Sequence, residues 1–362
     1  MTIPGLPGNR KTRWPVAVLG ATGAVGQMFV RMLADHPWFE LKELAASERS
    51  VGKKYGEVTR WLEGPSPSQS IMSRRVIACD PGVVSAPIVF SALDAVAAGA
   101  IEMAFAKAGK FVLSNAKNFR MEPDVPLVIP EVNGDHLGLL DCQRAKRGWS
   151  GAIVTNANCS ATVAAVALAP LHQKFGIRQL FLSTMQAVSG AGYPGVPSLD
   201  ILGNVIPYIA DEEPKLEREM LKLLGTYEDG EVVSANFKVS AHTNRVPVEH
   251  GHTICMTIGF EDKPTPEAAI QTMREWKGFP ATEGLPTRPD HPLVVSDLPD
   301  RPQPKRDVNA GNGMTVTVGR VRRDAVLDLR MVALGHNTVR GAAGGSVLNA
   351  ELLAANGALD TA

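Results

Sequence analysis

The run Pro15-Val-Ala-Val-Leu-Gly20-Ala-Thr-Gly23-Ala-Val-Gly26 decides the fold. Its short apolar run suits a strand buried on both faces, and the periodic stretch Ala24 to Ala34 that follows has the spacing of a helix. The glycines between them make a strand-to-helix turn whose backbone can approach a ligand closely. The N–H groups and dipole at the start of such a helix favour an anion, and a pyrophosphate fits. The spacing GxxGxxG departs from the GxGxxG dinucleotide fingerprint, so the place of the turn carries the reading more than its letters do. The competing reading is a glycine-rich turn with no ligand.

Outward from this turn the pattern repeats. LKELAAS at 41–47 completes a βαβ unit, and buried-strand candidates follow at Val76–Ala78, Ile88–Ser91, Phe111–Ser114 and Leu127–Ile129, with a helix-compatible stretch at Ala95–Ala108. Continuous apolar strands alternating with helices predict an α/β unit with a parallel, doubly wound sheet. After about Asn156 the texture changes. Strand-like runs at Leu180–Gln186, Val232–Ser240, His252–Gly259, Thr315–Arg322 and Leu327–Leu334 follow one another with fewer helices, near Glu213–Leu224 and Pro266–Trp276. They predict a mixed-sheet α+β domain. Leu298–Lys305 reads as an exposed, Pro-rich loop and Val339–Ala355 as a final helix, with no internal repeat.

A length of 362 residues favours two domains. The expected division is a flexible arm over 1–14, a dinucleotide-binding domain over 15–156, a second domain over 157–335, and a C-terminal helix in 336–362 that returns to the first domain. Lys+Arg and Asp+Glu both number 37, so net charge points neither to nucleic acid nor to an anionic membrane surface. A small-molecule partner is expected. Cys79, Cys142, Cys159 and Cys255 have neither zinc-site spacing nor the density of a disulfide framework, which suits a reduced, cytoplasmic compartment. No apolar run reaches the roughly 18 residues of a spanning helix.

At the end of the second strand an NAD enzyme places an acidic residue for the ribose hydroxyls. Here the chain reads Ala45-Ala-Ser47-Glu-Arg49-Ser50, with Lys53 and Lys54 close behind. A hydroxyl followed by Arg49 suits a 2′-phosphate, so NADP is expected over NAD; Glu48 dissents, and a solvated charge cluster is the plainer alternative. The chemical candidate is Cys159, in Ile153-Val-Thr-Asn-Ala-Asn158-Cys159-Ser-Ala-Thr162. The run continues into a small-residue helix expected to end near Pro170, which sets Cys159 at a helix N-terminus. There a thiol pKa is lowered and free N–H groups can bind an oxyanion. The reading for an arbitrary cysteine is a small buried hydrophobe.

NANCSAT at 156–162, Gln186-Ala-Val-Ser-Gly-Ala-Gly and Arg245-Val-Pro-Val-Glu-His-Gly-His252 resemble the cysteine, glutamine and arginine/histidine motifs of aspartate-semialdehyde dehydrogenases. With the Gly20–Gly26 turn and Gly335-His-Asn337-Thr-Val-Arg-Gly-Ala, the likeness runs from Trp14 to about Ala355. It is nearest the longer archaeal and fungal branch, of which GYPGVPSLDILGNVIPYI is characteristic. The resemblance implies reduction of β-aspartyl phosphate to aspartate semialdehyde through a thioester on Cys159, with His252 as proton shuttle, and Gln186 and Asn158 orienting the thioester. It also implies Arg245 for the substrate carboxylate, Glu213 for its ammonium, Arg120 and Lys215 for phosphate, and no metal. The implied NADP set is Gly20, Thr22, Gly23, Ala24, Val25, Gly26, Ser47, Arg49, Ser50, Ser91, Asn115, Ser189, Gly190 and Asn337. A homodimer or homotetramer follows the family pattern. Malonyl-CoA and succinyl-CoA reductases share these motifs; they differ in needing no ammonium partner. A non-catalytic dinucleotide sensor would leave Cys159 and His252 with no reason to coexist.

Overall fold

The computed structural model describes residue 7 and residues 12–360. Of the arm expected over 1–14, residues 1–6 and 8–11 lie outside the described residues. Trp14 does not belong to an arm: it opens the first strand, is buried, and donates its N–H to the Trp38 carbonyl at 2.9 Å.

Seven parallel strands form the first sheet: β1 Trp14–Leu19, β2 Phe39–Ala46, β3 Ile77–Ala78, β4 Ile88–Ser91, β5 Phe111–Ser114, β6 Leu127–Val128 and β7 Ala152–Asn156. Their order is β3-β2-β1-β4-β5-β7-β6. Alternation along the strands supplies both faces. Val16, Val18, Phe90 and Leu113 pack with helix α1 (Ala24–Leu33), while Ala17, Leu19, Val89 and Val112 pack toward helix α2 (Ala95–Lys107). The order reverses between β1 and β4, and an open α/β sheet binds ligands beyond the carboxyl ends of its strands at such a point.

After β7 the chain enters helix α3 (Cys159–Phe175), buried from Ser160 through Leu171. The helix does not end near Pro170. The proline forfeits one backbone hydrogen bond, at about 3 kcal/mol. Val163, Val166, Leu168 and Leu171 are all fully buried around it. Such side chains contribute roughly 1.5–3 kcal/mol each, which outweighs the loss.

The second sheet has β8 Ile177–Gln186, β11 Lys238–Arg245, β12 His252–Phe260, β13 Leu293–Ser296, β14 Val316–Arg323 and β15 Leu329–Gly335, in the order β11-β8-β12-β15-β14-β13. It is mixed: β11 and β8 run parallel and β12 antiparallel to β8. The strand expected over Val232–Ser240 is two elements, because Glu231–Val233 (β10) turns back on Thr226–Glu228 (β9) as a separate hairpin. Helices α4 (Glu212–Leu223) and α5 (Pro266–Glu275) share one core with α3 and this sheet. The segment expected as an exposed loop, Leu298–Lys305, is partly anchored: Pro302 is buried, and a Cβ at Gly319 would strike the loop backbone at Arg301.

The C-terminal segment returns to the first sheet as a π-turn, Val339–Ala343, followed by helix α6 (Gly344–Ala355), whose Val347, Leu348, Leu352 and Leu353 join the core of α1 and β1. Arg340 and Glu131 fasten this return through two bonds of 2.6 and 2.8 Å, both side chains fully buried. Among the described residues no helix is long and apolar enough to cross a membrane.

Candidate active site

A cleft of about 480 Å³ opens where strand ends from both sheets converge. From the first sheet come Asn115 after β5 and Cys159 after β7; from the second come Gln186 and Arg245, partners in register at the ends of β8 and β11, and His252 at the start of β12. Asn158 caps α3 and sets the cysteine: its Oδ1 accepts from the N–H groups of Ser160 at 2.9 Å and Ala161 at 3.1 Å. Cys159 Sγ then lies 3.2 Å from His252 Nε2. The Ala187 N–H donates to His252 Nδ1 at 3.1 Å, which places the neutral ring's proton on Nε2, facing sulfur.

The expectation of an ionised sulfur is corrected. Burial pushes the Cys159 thiol up to about 12, the Glu212 carboxylate adding to it against Arg120, Arg245 and the Ser160 N–H. Burial also brings the His252 imidazole down to about 3, with Arg245 acting in the same direction. The free cleft therefore holds a neutral thiol beside a neutral imidazole. The Ser160 N–H, the backbone donor beside the sulfur, also donates to the Asn158 cap.

A second correction concerns the carboxylate in the cleft. Glu213 points away and accepts the Thr243 N–H at 2.9 Å; its neighbour Glu212 faces the site. Glu212 Oε1 accepts from Asn158 Nδ2 at 2.8 Å and Gln186 Nε2 at 2.9 Å, and Oε2 from Lys215 Nζ at 2.8 Å. Burial alone would raise this carboxyl, but Lys215 and those two amides bring it down to about 2. Gln186 also reaches the Ser160 hydroxyl. Helix spacing carried the missed signal: Glu212, Lys215, Glu219 and Lys222 lie on one stripe, and Glu213 is turned off it.

Arg120 is held by Glu219 at 2.9 Å and by the Asn115 carbonyl at 2.7 Å, and the other oxygen of Glu219 accepts the Asn158 N–H at 2.6 Å. Arg245 donates to the Ala187 carbonyl at 2.8 Å and, among the described residues, has no carboxylate in an ion pair. At the other wall Asn337 donates to Ser189 Oγ at 2.8 Å and accepts the Gly251 N–H at 2.9 Å. Gly190 lies so close that a Cβ there would come 2.9 Å from Arg245 Nη1 and 3.1 Å from His252 Cε1.

Val25 is the one residue of the glycine turn that lines this cleft; Ala24 lines a neighbouring one of about 360 Å³. Gly20, Thr22, Gly23 and Gly26 form the turn above it. A Cβ on Gly20 would meet the Ala92 carbonyl at 2.7 Å, and one on Gly26 would strike the Gly20 carbonyl. Gly23 begins α1 with no side chain over the helix end. Ser91 is buried at the end of β4, and its carbonyl accepts from Asn115 Nδ2 at 3.2 Å. Exposed Ser47 and Arg49, with buried Ser50, form the turn beyond β2, outside the cleft lining. Among the described residues no group of three or more metal-ligating side chains could hold an ion.

Residues 15–140 match the family described as semialdehyde dehydrogenase, NAD binding domain, and residues 168–340 match semialdehyde dehydrogenase, dimerisation domain. The chain is 51% identical to the aspartate-semialdehyde dehydrogenase of Archaeoglobus fulgidus, over 94% of this chain and 98% of the relative. It is 46% identical to that of Schizosaccharomyces pombe, over 94% and 98%. Among solved structures, aspartate semialdehyde dehydrogenase with NADP from Candida albicans superposes with a TM-score of 0.87 at 43% identity, covering 95% of this chain and 99% of that one. The paired cysteine and histidine, the two domains and these likenesses agree: the chain belongs to the aspartate-semialdehyde dehydrogenase family.

Proposed function

We propose that the chain is an NADP-dependent aspartate-semialdehyde dehydrogenase that interconverts β-aspartyl phosphate and aspartate semialdehyde through a thioester on Cys159. The observation that carries the reading is the Cys159–His252 pair at 3.2 Å, in the cleft where both sheets' strand ends meet. The glycine turn fits the cofactor: side chains are excluded at Gly20 and Gly26, and the uncapped start of α1 offers N–H groups to a pyrophosphate. Ser47 and Arg49 would hold a 2′-phosphate, and Ser189 and Asn337 the nicotinamide end. Bound NADP supplies the hydride acceptor, and NADPH the donor.

The chain's own groups do the rest. Cys159 Sγ adds to the carbonyl carbon as His252 Nε2 gives its proton to the carbonyl oxygen and takes the thiol proton in its place, leaving a neutral hemithioacetal and a neutral ring, while the Ser160 N–H supports the charge that develops on the way. The ring begins and ends this step with its proton on Nε2, in keeping with the Ala187 N–H donated to Nδ1, so His252 carries the proton without holding a lasting charge. Phosphate enters or leaves at the Arg120–Lys215 end.

Substrate recognition follows from charge. Arg120 and Lys215 each have a buried carboxylate partner, whereas Arg245, among the described residues, has none and is the receptor for the α-carboxylate. Glu212 is the partner for the ammonium. An ammonium partner is the feature that a malonyl-CoA or succinyl-CoA reductase does not need, and its presence supports the aspartate substrate. The open face of the second sheet, with a groove of about 550 Å³ past Phe181 and Val326, is where a second copy packs.

The test compares purified protein given aspartate semialdehyde, phosphate and NADP with the same protein given malonyl-CoA and NADPH. Turnover of malonyl-CoA alone would overturn the reading. Cys159→Ser should abolish aldehyde oxidation with NADP affinity retained. Arg245→Leu should raise the aldehyde KM about a hundredfold, the loss of a bidentate charge-assisted pair.

A further inference from the structure

Lys117 stands at the mouth of the same cleft, on the segment that leads from β5 to Arg120. Its Nζ is 2.9 Å from Asp211 Oδ2, on the residue before α4, so the pair spans the gap between the two sheets' structures. Both side chains are open to solvent, 48% and 71% exposed. The other two cations at this end differ. Arg120 is fixed by Glu219 and Lys215 by Glu212, carboxylates whose side chains are 2% and 8% exposed. An exposed pair is weak and its cation can turn wholly to a better anion, whereas a cation in a buried pair keeps its carboxylate and offers phosphate only its remaining N–H groups.

Asp211 does not use its carboxylate as a helix cap. It occupies the cap position of α4, where an aspartate ordinarily accepts a helix N–H, yet its side chain caps nothing (φ 58°, ψ 6°). The carboxylate instead lies in the field of Lys117, Lys215 and Arg218. A phosphate group offers three strong acceptor oxygens, and a lysine ammonium three donors.

We propose that Lys117 is a third phosphate ligand of the cleft, held at the rim by Asp211 and handed to the phosphate when it binds. The proposal rests on the reading that the Arg120–Lys215 end receives phosphate. Asp211 is thereby a competing anion that keeps the third cation ordered and limits how tightly phosphate is retained.

The two partners must then act with opposite sign, which a merely structural ion pair would not do. In the phosphate-dependent oxidation of aspartate semialdehyde, Lys117→Gln should raise the phosphate KM about tenfold, as expected for one lost charge-assisted bond. Asp211→Asn should lower it roughly two- to fivefold, by freeing Lys117. Aldehyde and NADP KM values should stay within about twofold in both. Asn tolerates the left-handed backbone at 211, so the second variant folds as the parent does. Arg120→Lys, measured in parallel, separates the two levels of the reasoning. If Arg120→Lys raises the phosphate KM and Lys117→Gln does not, the Lys117 proposal is wrong. It is equally wrong if Asp211→Asn raises the phosphate KM. If Arg120→Lys leaves that KM unchanged, phosphate binds elsewhere and both readings fall.

Discussion

Gly341 touches the nucleophile from behind, and replacing it by alanine tests how rigidly the C-terminal return holds Cys159. A Cβ built on Gly341 would lie 2.6 Å from Cys159 Cβ and 2.8 Å from Cys159 Cα. Carbon atoms in van der Waals contact stand about 3.5–4.0 Å apart, so roughly 1 Å must be opened. Gly341 has little room to retreat, since its N–H is bonded to the His336 carbonyl at 3.0 Å and Arg340 beside it is locked to buried Glu131. The displacement therefore falls on the first residue of α3 and stretches the 3.2 Å separation from His252. Overpacking of this kind costs about 1–3 kcal/mol, seen as a Tm lower by a few degrees. A misplacement of about 1 Å at reacting atoms costs on the order of a hundredfold in kcat. The assay pairs kcat for aldehyde oxidation with NADP affinity, which the glycine turn should keep near the parental value. Parental kcat and Tm together would show that the return is soft and the close approach of no consequence. Equal losses in kcat and NADP affinity would show a general disturbance and no local one.

Two further outcomes follow from the cleft and the open sheet. Glu212 is brought from an ordinary 4.5 down to about 2 in the folded chain, so its contribution to stability is present above pH 4.5 and is lost as pH falls toward 2. By linkage that contribution is up to about 3 kcal/mol. Glu212→Gln should flatten this acid limb in urea unfolding; an unaltered slope between those pH values would refute the assignment. Phe181, 43% exposed on the open face of the second sheet, should lie against a second copy. Phe181→Glu should halve the mass measured by light scattering, and an unchanged mass would remove this face as the contact.

Much of this protein was decided locally. Strands Ile88–Ser91 and Phe111–Ser114 are legible to the residue because a short apolar run covered on both faces has no other stable place to go. The NANCSAT run was legible as a nucleophile at a helix start because capping is a relation between near neighbours. Three-dimensional packing settled the rest. Which of two adjacent glutamates enters the cleft depends on the face α4 turns to its neighbours, and one step along a helix is about 100°. Pro170 stays inside α3 because apolar groups distant in sequence bury the helix on every side. The charge state of Cys159 was the least legible. A helix N-terminus lowers a thiol pKa, whereas burial, with the Glu212 carboxylate brought alongside by folding, pushes it up.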